Sequence, residues 1–199
     1  MNMPSFAGKL APTATNMIRM DHTHVLATFH QYETDASPRA REGLANTICL
    51  ALEIHAQLEE EIFYPALRAL DGGNPAILKA VPEHNEMKRL IARLRSMQPT
   101  EAGYDDTLFE LMRDVMHHVA DEETILLPEA ERLMADRLGD LGAQMLKRRV
   151  ELSAPRGGEI AGNLLRGMPK STMMLAAGAL MAGTYLLKRN GNQHRDNGS

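Results

Sequence analysis

The 199-residue chain has no tryptophan, only four phenylalanines and four tyrosines, and a single cysteine, Cys49. So few aromatics leave little to fill a sandwich or barrel, whereas a hydrophobic content of 44%, rich in Leu, Ile, Met and Ala, suits helices. One cysteine excludes a disulfide framework or a thiolate zinc or iron–sulfur site within the chain, and fits a reducing compartment. Cys49 reads as a small packing residue, with a redox thiol as the alternative. Excess positive charge is also missing: the formal net charge is −4, which argues against a nucleic-acid surface. Residues 1–14 carry two prolines and no long apolar run, so they read as a flexible start, not a secretory signal.

What is present is one unit written twice. His55-Ala-Gln-Leu-Glu59-Glu-Glu-Ile-Phe-Tyr-Pro65 returns as His118-Val-Ala-Asp-Glu122-Glu-Thr-Ile-Leu-Leu-Pro128, 63 positions later. Each copy follows another histidine at a matching distance: His22 lies 33 residues before His55, and His84 lies 34 before His118.

Helical periodicity gives the repeat a chemical meaning. Leu44, Ile48, Leu52, His55, Glu59 and Ile62 recur at steps of three and four, the spacing of a buried helix seam. Leu108, Leu111, Val115, His118, Glu122 and Ile125 do the same. Ile18, His22, Val25 and Phe29 form a third seam; Ile77, Val81, His84, Ile91 and Leu94 form a fourth, with Met87 or Lys88 at its intermediate step. Every seam therefore carries a histidine in a core position. An ionised carboxylate taken out of water costs several kcal/mol unless it is paired or bound to a metal, and no arginine lies on these seams to pair with Glu59 and Glu122. A cation resolves the conflict, because residues four apart share a helix face. His55 with Glu59, and His118 with Glu122, would chelate from two helices while His22 and His84 approach from the other two.

Along the chain, Thr15 or Asn16 is the expected cap of a first helix running to about Thr34, with His24 and His30 on other faces. Ser37-Pro38 and Asn74-Pro75 are start signals for the second and third helices. Asp105 or Asp106 is the expected cap of the fourth. Pro65 and Pro128 should disturb the last turns of the second and fourth helices, and Gly72-Gly73 permits a stop. His117 faces away from the seam that holds His118. Short connections between long helices predict an all-α, up-down-up-down four-helix bundle over residues 15–135. A further helix is expected over 136–152, a linker over 153–170, a hydrophobic helix over 171–188 and a disordered tail over 189–199.

The run 171–187, STMMLAAGALMAGTYLL, carries no charge. As a helix at about 1.5 Å per residue it would be about 26 Å long, marginal against a hydrocarbon core of about 30 Å. Gly178 with Ala182, and Ala179 with Gly183, offer small faces suited to close helix contact. It reads either as a membrane anchor or as a buried or self-associating helix. The corresponding expectations are a cytoplasmic domain anchored to the inner or plasma membrane, or a homo-oligomer.

The pattern His22, His55-x-x-x-Glu59, His84, His118-x-x-x-Glu122 resembles the hemerythrin-like, HHE cation-binding family over roughly residues 16–134. That resemblance implies a four-helix bundle holding two non-haem irons, with histidines from two helices on each iron and Glu59 and Glu122 bridging; Mn or Zn would also suit these ligands. It further implies responses to dioxygen, nitric oxide or peroxide, or repair of iron–sulfur clusters. Oxygen-carrying members place a further histidine where this chain has Lys88, and an Asp five residues after the fourth-helix histidine where this chain has Glu122 after four. The resemblance is therefore nearer to the cluster-repair branch. A ferritin-like oxidase is disfavoured, since its Glu-x-x-His order is reversed here.

Counting bonds, four imidazoles and two bridging carboxylates supply about eight, a bridging hydroxide about two more, and two octahedral irons want about twelve. Each metal would keep an open position, and two carboxylates fall short of the metals' charge. Anionic or reducible small ligands are thus expected, with Tyr32, Tyr64, Glu60 and Glu123 as candidates for a supporting role. Two classes follow: a di-iron protein that binds or senses a small ligand, or an enzyme that reduces NO or peroxide with an electron donor or delivers iron to damaged clusters.

Overall fold

Three helix starts follow side chains that cap them. The computed structural model describes residues 12–167 and begins α1 (Ala14–Phe29) on Thr13, whose hydroxyl accepts the Asn16 N–H at 3.3 Å. The cap lies earlier than Thr15 or Asn16 because Ala14 already belongs to the core, at 0% exposure. α1 also ends before Thr34, as the Gln31 and Tyr32 amides turn back to Thr28 and Phe29. Ser37 and Asn74 cap α2 (Pro38–Leu58) and α4 (Pro75–Ser96) as their sequences require, each with proline in the first turn. α5 (Tyr104–Asp121) starts not on Asp105 or Asp106 but on Gly103, at φ 86, where a side chain would be strained. Asp105 instead accepts from Arg41 through both oxygens at 2.8 Å and from the Tyr32 hydroxyl.

The disturbance expected at Pro65 and Pro128 takes the form of two π turns, Glu59–Phe63 and Glu122–Leu126, after which α3 (Tyr64–Arg68) and α6 (Leu127–Leu133) resume. The Tyr64 N–H reaches back to the Glu59 carbonyl and the Leu127 N–H to that of Glu122, five residues each. The next residue in both cases is a proline, with no N–H to continue the ladder. One residue is thereby inserted into each seam, and the α-period reading fails beyond the glutamates. Ile125 is 44% exposed and Ile62 only half-buried, while Phe63 and Leu126 enter the core at 0% and 1%.

Buried apolar residues form two clusters. One gathers Ile18, Leu58, Phe63, Leu67, Ile77 and Leu126 with their neighbours, the other Val25, Ile48, Leu52, Leu90, Leu111 and Val115 with theirs. Met87, not Lys88, occupies the intermediate step on α4. Cys49 packs in the second cluster, where burial pushes its thiol up to about 12, so its role is packing.

Two additional helices buttress the bundle. α7 (Leu138–Ser153) overlaps the expected 136–152 stretch, ending one residue beyond it, and approaches the start of α1 so closely that a Cβ on Gly142 would stand 2.0 Å from the Pro12 carbonyl oxygen. Of the linker expected over 153–170, the described part holds instead a short 3-10 turn, Ala154–Arg156, and helix α8 (Gly157–Gly167) packed on α2; residues 168–170 lie outside the described residues. Its Gly/Pro content reads as a breaker, yet Gly43 on α2 leaves room for the backbone at Arg166 and Gly167, which a Cβ would meet at 2.5–2.9 Å. Among the described residues no helix is long and apolar enough to cross a membrane. The run 171–187 lies outside them, as do residues 1–11 and the tail.

Candidate metal centre

The six residues singled out from the repeat, His22, His55, Glu59, His84, His118 and Glu122, are all buried, each at 5% exposure or less. α1, α2, α4 and α5 deliver one histidine each, and the two π turns begin on the glutamates. Two overlapping groups result. His22, His55, Glu59 and Glu122 bring donor atoms within 4.8 Å of one another, and so do Glu59, His84 and His118. Glu59 belongs to both. The Glu122 Oε2 lies 3.1 Å from the His22 Nε2 and 3.6 Å from the His118 Nε2, so it too faces both sides.

Every imidazole is turned the same way, Nε2 inward and Nδ1 toward a carboxylate. His22 Nδ1 is 2.8 Å from Glu123, His84 Nδ1 2.9 Å from Glu60, His118 Nδ1 2.8 Å from Glu83, and His55 Nδ1 a looser 3.5 Å from Asp21. A carboxylate only accepts, so Nδ1 carries the proton in His22, His84 and His118, and each of these rings, when neutral, presents a bare Nε2 to the interior. The consequence is sharpest at His84 and His118, whose Nε2 atoms face each other at 3.0 Å. Two lone pairs at that distance repel unless a proton or a cation lies between them. The Glu59 Oε1 is likewise buried with no hydrogen-bond partner. An orphaned carboxylate oxygen and converging imidazoles are what a cation-binding donor set requires, so the residues fit a metal.

The electrostatics of the metal-free cluster agree. Burial opposes charge on His22, but Glu122 and Glu123 overcome it and hold its imidazolium up to about 9. Glu122 is likewise opposed by burial, and its bond to His22 wins, drawing it down to about 2. Burial and then the charge of Glu122 push Glu59 up to about 7. At neutral pH protons therefore occupy positions that a cation would take, and metal uptake would expel them.

Glu60 and Glu123, expected in a supporting role, stand against His84 and His22. Tyr64 goes further: its hydroxyl donates to Glu122 Oε1 at 2.7 Å and lies 3.2 Å from Glu59 Oε2 and 3.4 Å from His84 Nε2. The π turn rotates it into the donor cluster. Tyr32 is not at the site, since its hydroxyl is bound to Asp105. His24, His30 and His117 are exposed. Asp21 and Glu83 do not emerge from the spacing of the repeat, although a signal exists: each immediately precedes the first histidine of its unit. Beside the histidines, Val25, Leu52, Met87, Ile91 and Val115 line a cavity of about 10 Å³, about the room one water centre needs.

Comparisons with known proteins agree with this geometry. The family model described as the hemerythrin HHE cation binding domain matches residues 13–130. A DNA nickase from Nostoc sp. strain PCC 7120 is 32% identical over 111 residues, covering 56% of this chain and 31% of its own length; the chain thus spans under a third of that relative. The crystal structure of a hemerythrin HHE cation binding domain-containing protein, the Rv2633c homolog from Mycobacterium kansasii, is similar with a TM-score of 0.63 at 20% identity. That match covers 79% of this chain and 99% of the other, and shows a shared fold.

Proposed function

The chain belongs to the hemerythrin HHE cation-binding family, and from that premise we propose that it is a non-haem di-iron protein that binds, senses or reacts with O2, NO or peroxide. In this reading His22 and His55 serve one iron, His84 and His118 the other, and Glu59 and Glu122 lie between them. The observation that carries it is the pair of bare Nε2 atoms at 3.0 Å, each fixed by a carboxylate on its far side. Bound iron would supply a redox-active Lewis acid for small oxygen and nitrogen ligands.

The chain's own residues do the rest. The carboxylates at Nδ1 of His22, His84 and His118 fix the tautomers, so these rings need not reorient when a cation enters. Tyr64 holds Glu122 through its hydroxyl and has a proton to offer at the cluster. The small apolar cavity beside the histidines, with room for about one water, is too small for an organic substrate. Its lining excludes bulk water from the donors. The nickase named among the relatives is more than three times as long as its matched stretch, and a net charge of −4 offers little to a phosphate backbone.

Metal analysis of the purified full-length protein, with its visible spectrum before and after O2, tests the proposal. The expected result is about two irons per chain and a charge-transfer band. One zinc, or no metal, would leave the family's fold without its redox chemistry. Turnover of NO or peroxide with an added electron donor then separates an enzyme from a binder.

A further inference from the structure

Behind each carboxylate that faces an imidazole stands a surface cation. Glu60 is bound by Lys88, Glu123 by Arg19, Glu83 by Lys79 and Asp21 by Arg149. The four arrangements are not equal. Lys88 Nζ lies 2.7 Å from both oxygens of Glu60, and Glu60 in turn is 2.9 Å from His84 Nδ1. Lys79 stands 3.7 Å from Glu83 and is also paired with Asp121, although the Glu83 contact to His118 Nδ1 is a comparable 2.8 Å. Arg19 divides itself between Glu123 and Glu131. Behind Asp21, Arg149 bonds at 2.6 Å, but the step from Asp21 to His55 is the loose one.

A carboxylate that accepts an imidazole N–H pulls on its proton and makes the other nitrogen a stronger donor. A cation on the same carboxylate competes for that electron density and weakens the pull. We propose that Lys88 is a positioning residue that sets the donor strength of His84: by holding both oxygens of Glu60 it keeps His84 a weaker ligand than His118. The inference rests on the metal-centre reading. Two histidines whose Nε2 atoms are 3.0 Å apart, and which share Glu59, would thus be graded from outside the core. Lys88 suits this role because its side chain is 41% exposed, so shortening it opens no cavity in the core, while it still lines the space that holds the four histidines.

The test uses the full chain loaded with zinc, a redox-silent probe that permits NMR of the histidine Nδ1–H groups, with affinity measured by chelator competition. In Lys88→Met the His84 Nδ1–H should move downfield, the His118 signal should stay, and zinc should bind severalfold tighter. Lys88→Arg should restore the wild-type values, and Lys88→Gln, which keeps a donor without charge, should fall between. Lys79→Met should shift the His118 signal less than Lys88→Met shifts that of His84. An unmoved His84 signal in zinc-loaded Lys88→Met and Lys88→Gln overturns the inference and leaves the centre standing. A wild-type chain that takes up no divalent metal overturns the centre and the inference together.

Discussion

In the first half of the repeat Glu59 is followed five residues later by Tyr64, and in the second half Glu122 is followed by Leu127. Both side chains are buried at 1% or less, and both follow the same π turn. The halves therefore build one frame, histidine, glutamate, π turn and proline, and differ in what the turn delivers. The first half sends a hydroxyl into the donor cluster; the second sends an aliphatic group into the apolar cluster. A second difference lies at the carboxylates: Glu83 meets His118 at 2.8 Å, whereas Asp21, one methylene shorter, stops 3.5 Å from His55. The repeat accounts for the two donor groups, and these departures give the groups separate characters.

The largest expected effect comes from removing the glutamates one at a time. Glu59 belongs to both donor groups and Glu122 to one. Glu59→Ala should lose nearly all metal, while Glu122→Ala should retain the position formed by Glu59, His84 and His118, roughly one metal per chain. Metal analysis of the two purified variants decides it. Equal losses would mean that the glutamates are equivalent and the halves symmetric.

The outer carboxylates come next. Loss of such a partner typically costs about 10–100-fold in metal affinity. Glu83→Gln, which replaces a charged acceptor by a neutral amide at a made hydrogen bond, should fall in that range, whereas Asp21→Asn should cost several times less because Asp21 stands 3.5 Å from His55 Nδ1 and makes no hydrogen bond to it. Chelator competition measures both. A reversed order would show that metal loading closes the Asp21–His55 gap.

These departures also mark how far the sequence could be read. The six core residues follow from periodicity and duplication, because a polar side chain at a buried seam position is costly unless it is paired or holds a cation. The same α period places Ile62 and Ile125 on the seams, but Ile62 only edges the core and Ile125 is exposed, since the period cannot register a π turn; two prolines at equal spacing from the glutamates are that turn's only trace. Tyr64 reaches the donors through the same turn. α8 is hidden because its packing depends on Gly43, more than a hundred residues away, and local composition contains nothing of that contact.

The metal-free protein should respond to pH through the same two halves. His22 is raised from its ordinary 6.5 to about 9, so its stabilisation is complete below about 6.5 and is lost as pH rises through about 9. Glu59 is raised from 4.5 to about 7, so it too weakens the fold as pH climbs through about 7. Glu122, lowered to about 2, contributes fully above 4.5 and loses its effect only as pH falls through about 2. Metal removes the first two dependences by displacing the protons. Thermal melts of chelated and metal-loaded protein should therefore diverge from about pH 4.5 to about pH 9, the chelated form falling. Parallel curves would show that the buried carboxylates and imidazoles are not what the metal replaces.

The smallest effect, and the most specific to the difference between the halves, is expected from Tyr64→Phe. Phenylalanine keeps the ring and its packing against Phe63, so little apolar burial is lost. What goes is the hydroxyl, and with it the 2.7 Å bond to Glu122 Oε1. Net loss of one such bond is about 1 kcal/mol, rising to about 3 when the partner is left buried and unsatisfied. In the metal-free protein the higher figure applies, because Glu122 Oε2 already serves His22 and no solvent reaches Oε1. With metal bound, Glu122 has another partner and the cost should shrink. Denaturation of the variant with and without metal thus separates two roles for the hydroxyl. A penalty confined to the metal-free form makes Tyr64 a surrogate partner for the carboxylate; an equal penalty in the loaded form, with an altered visible spectrum, places the hydroxyl against the metal. Leu127→Met, at the matching position of the other half, should change neither spectrum nor metal content, since Leu127 faces only the apolar cluster.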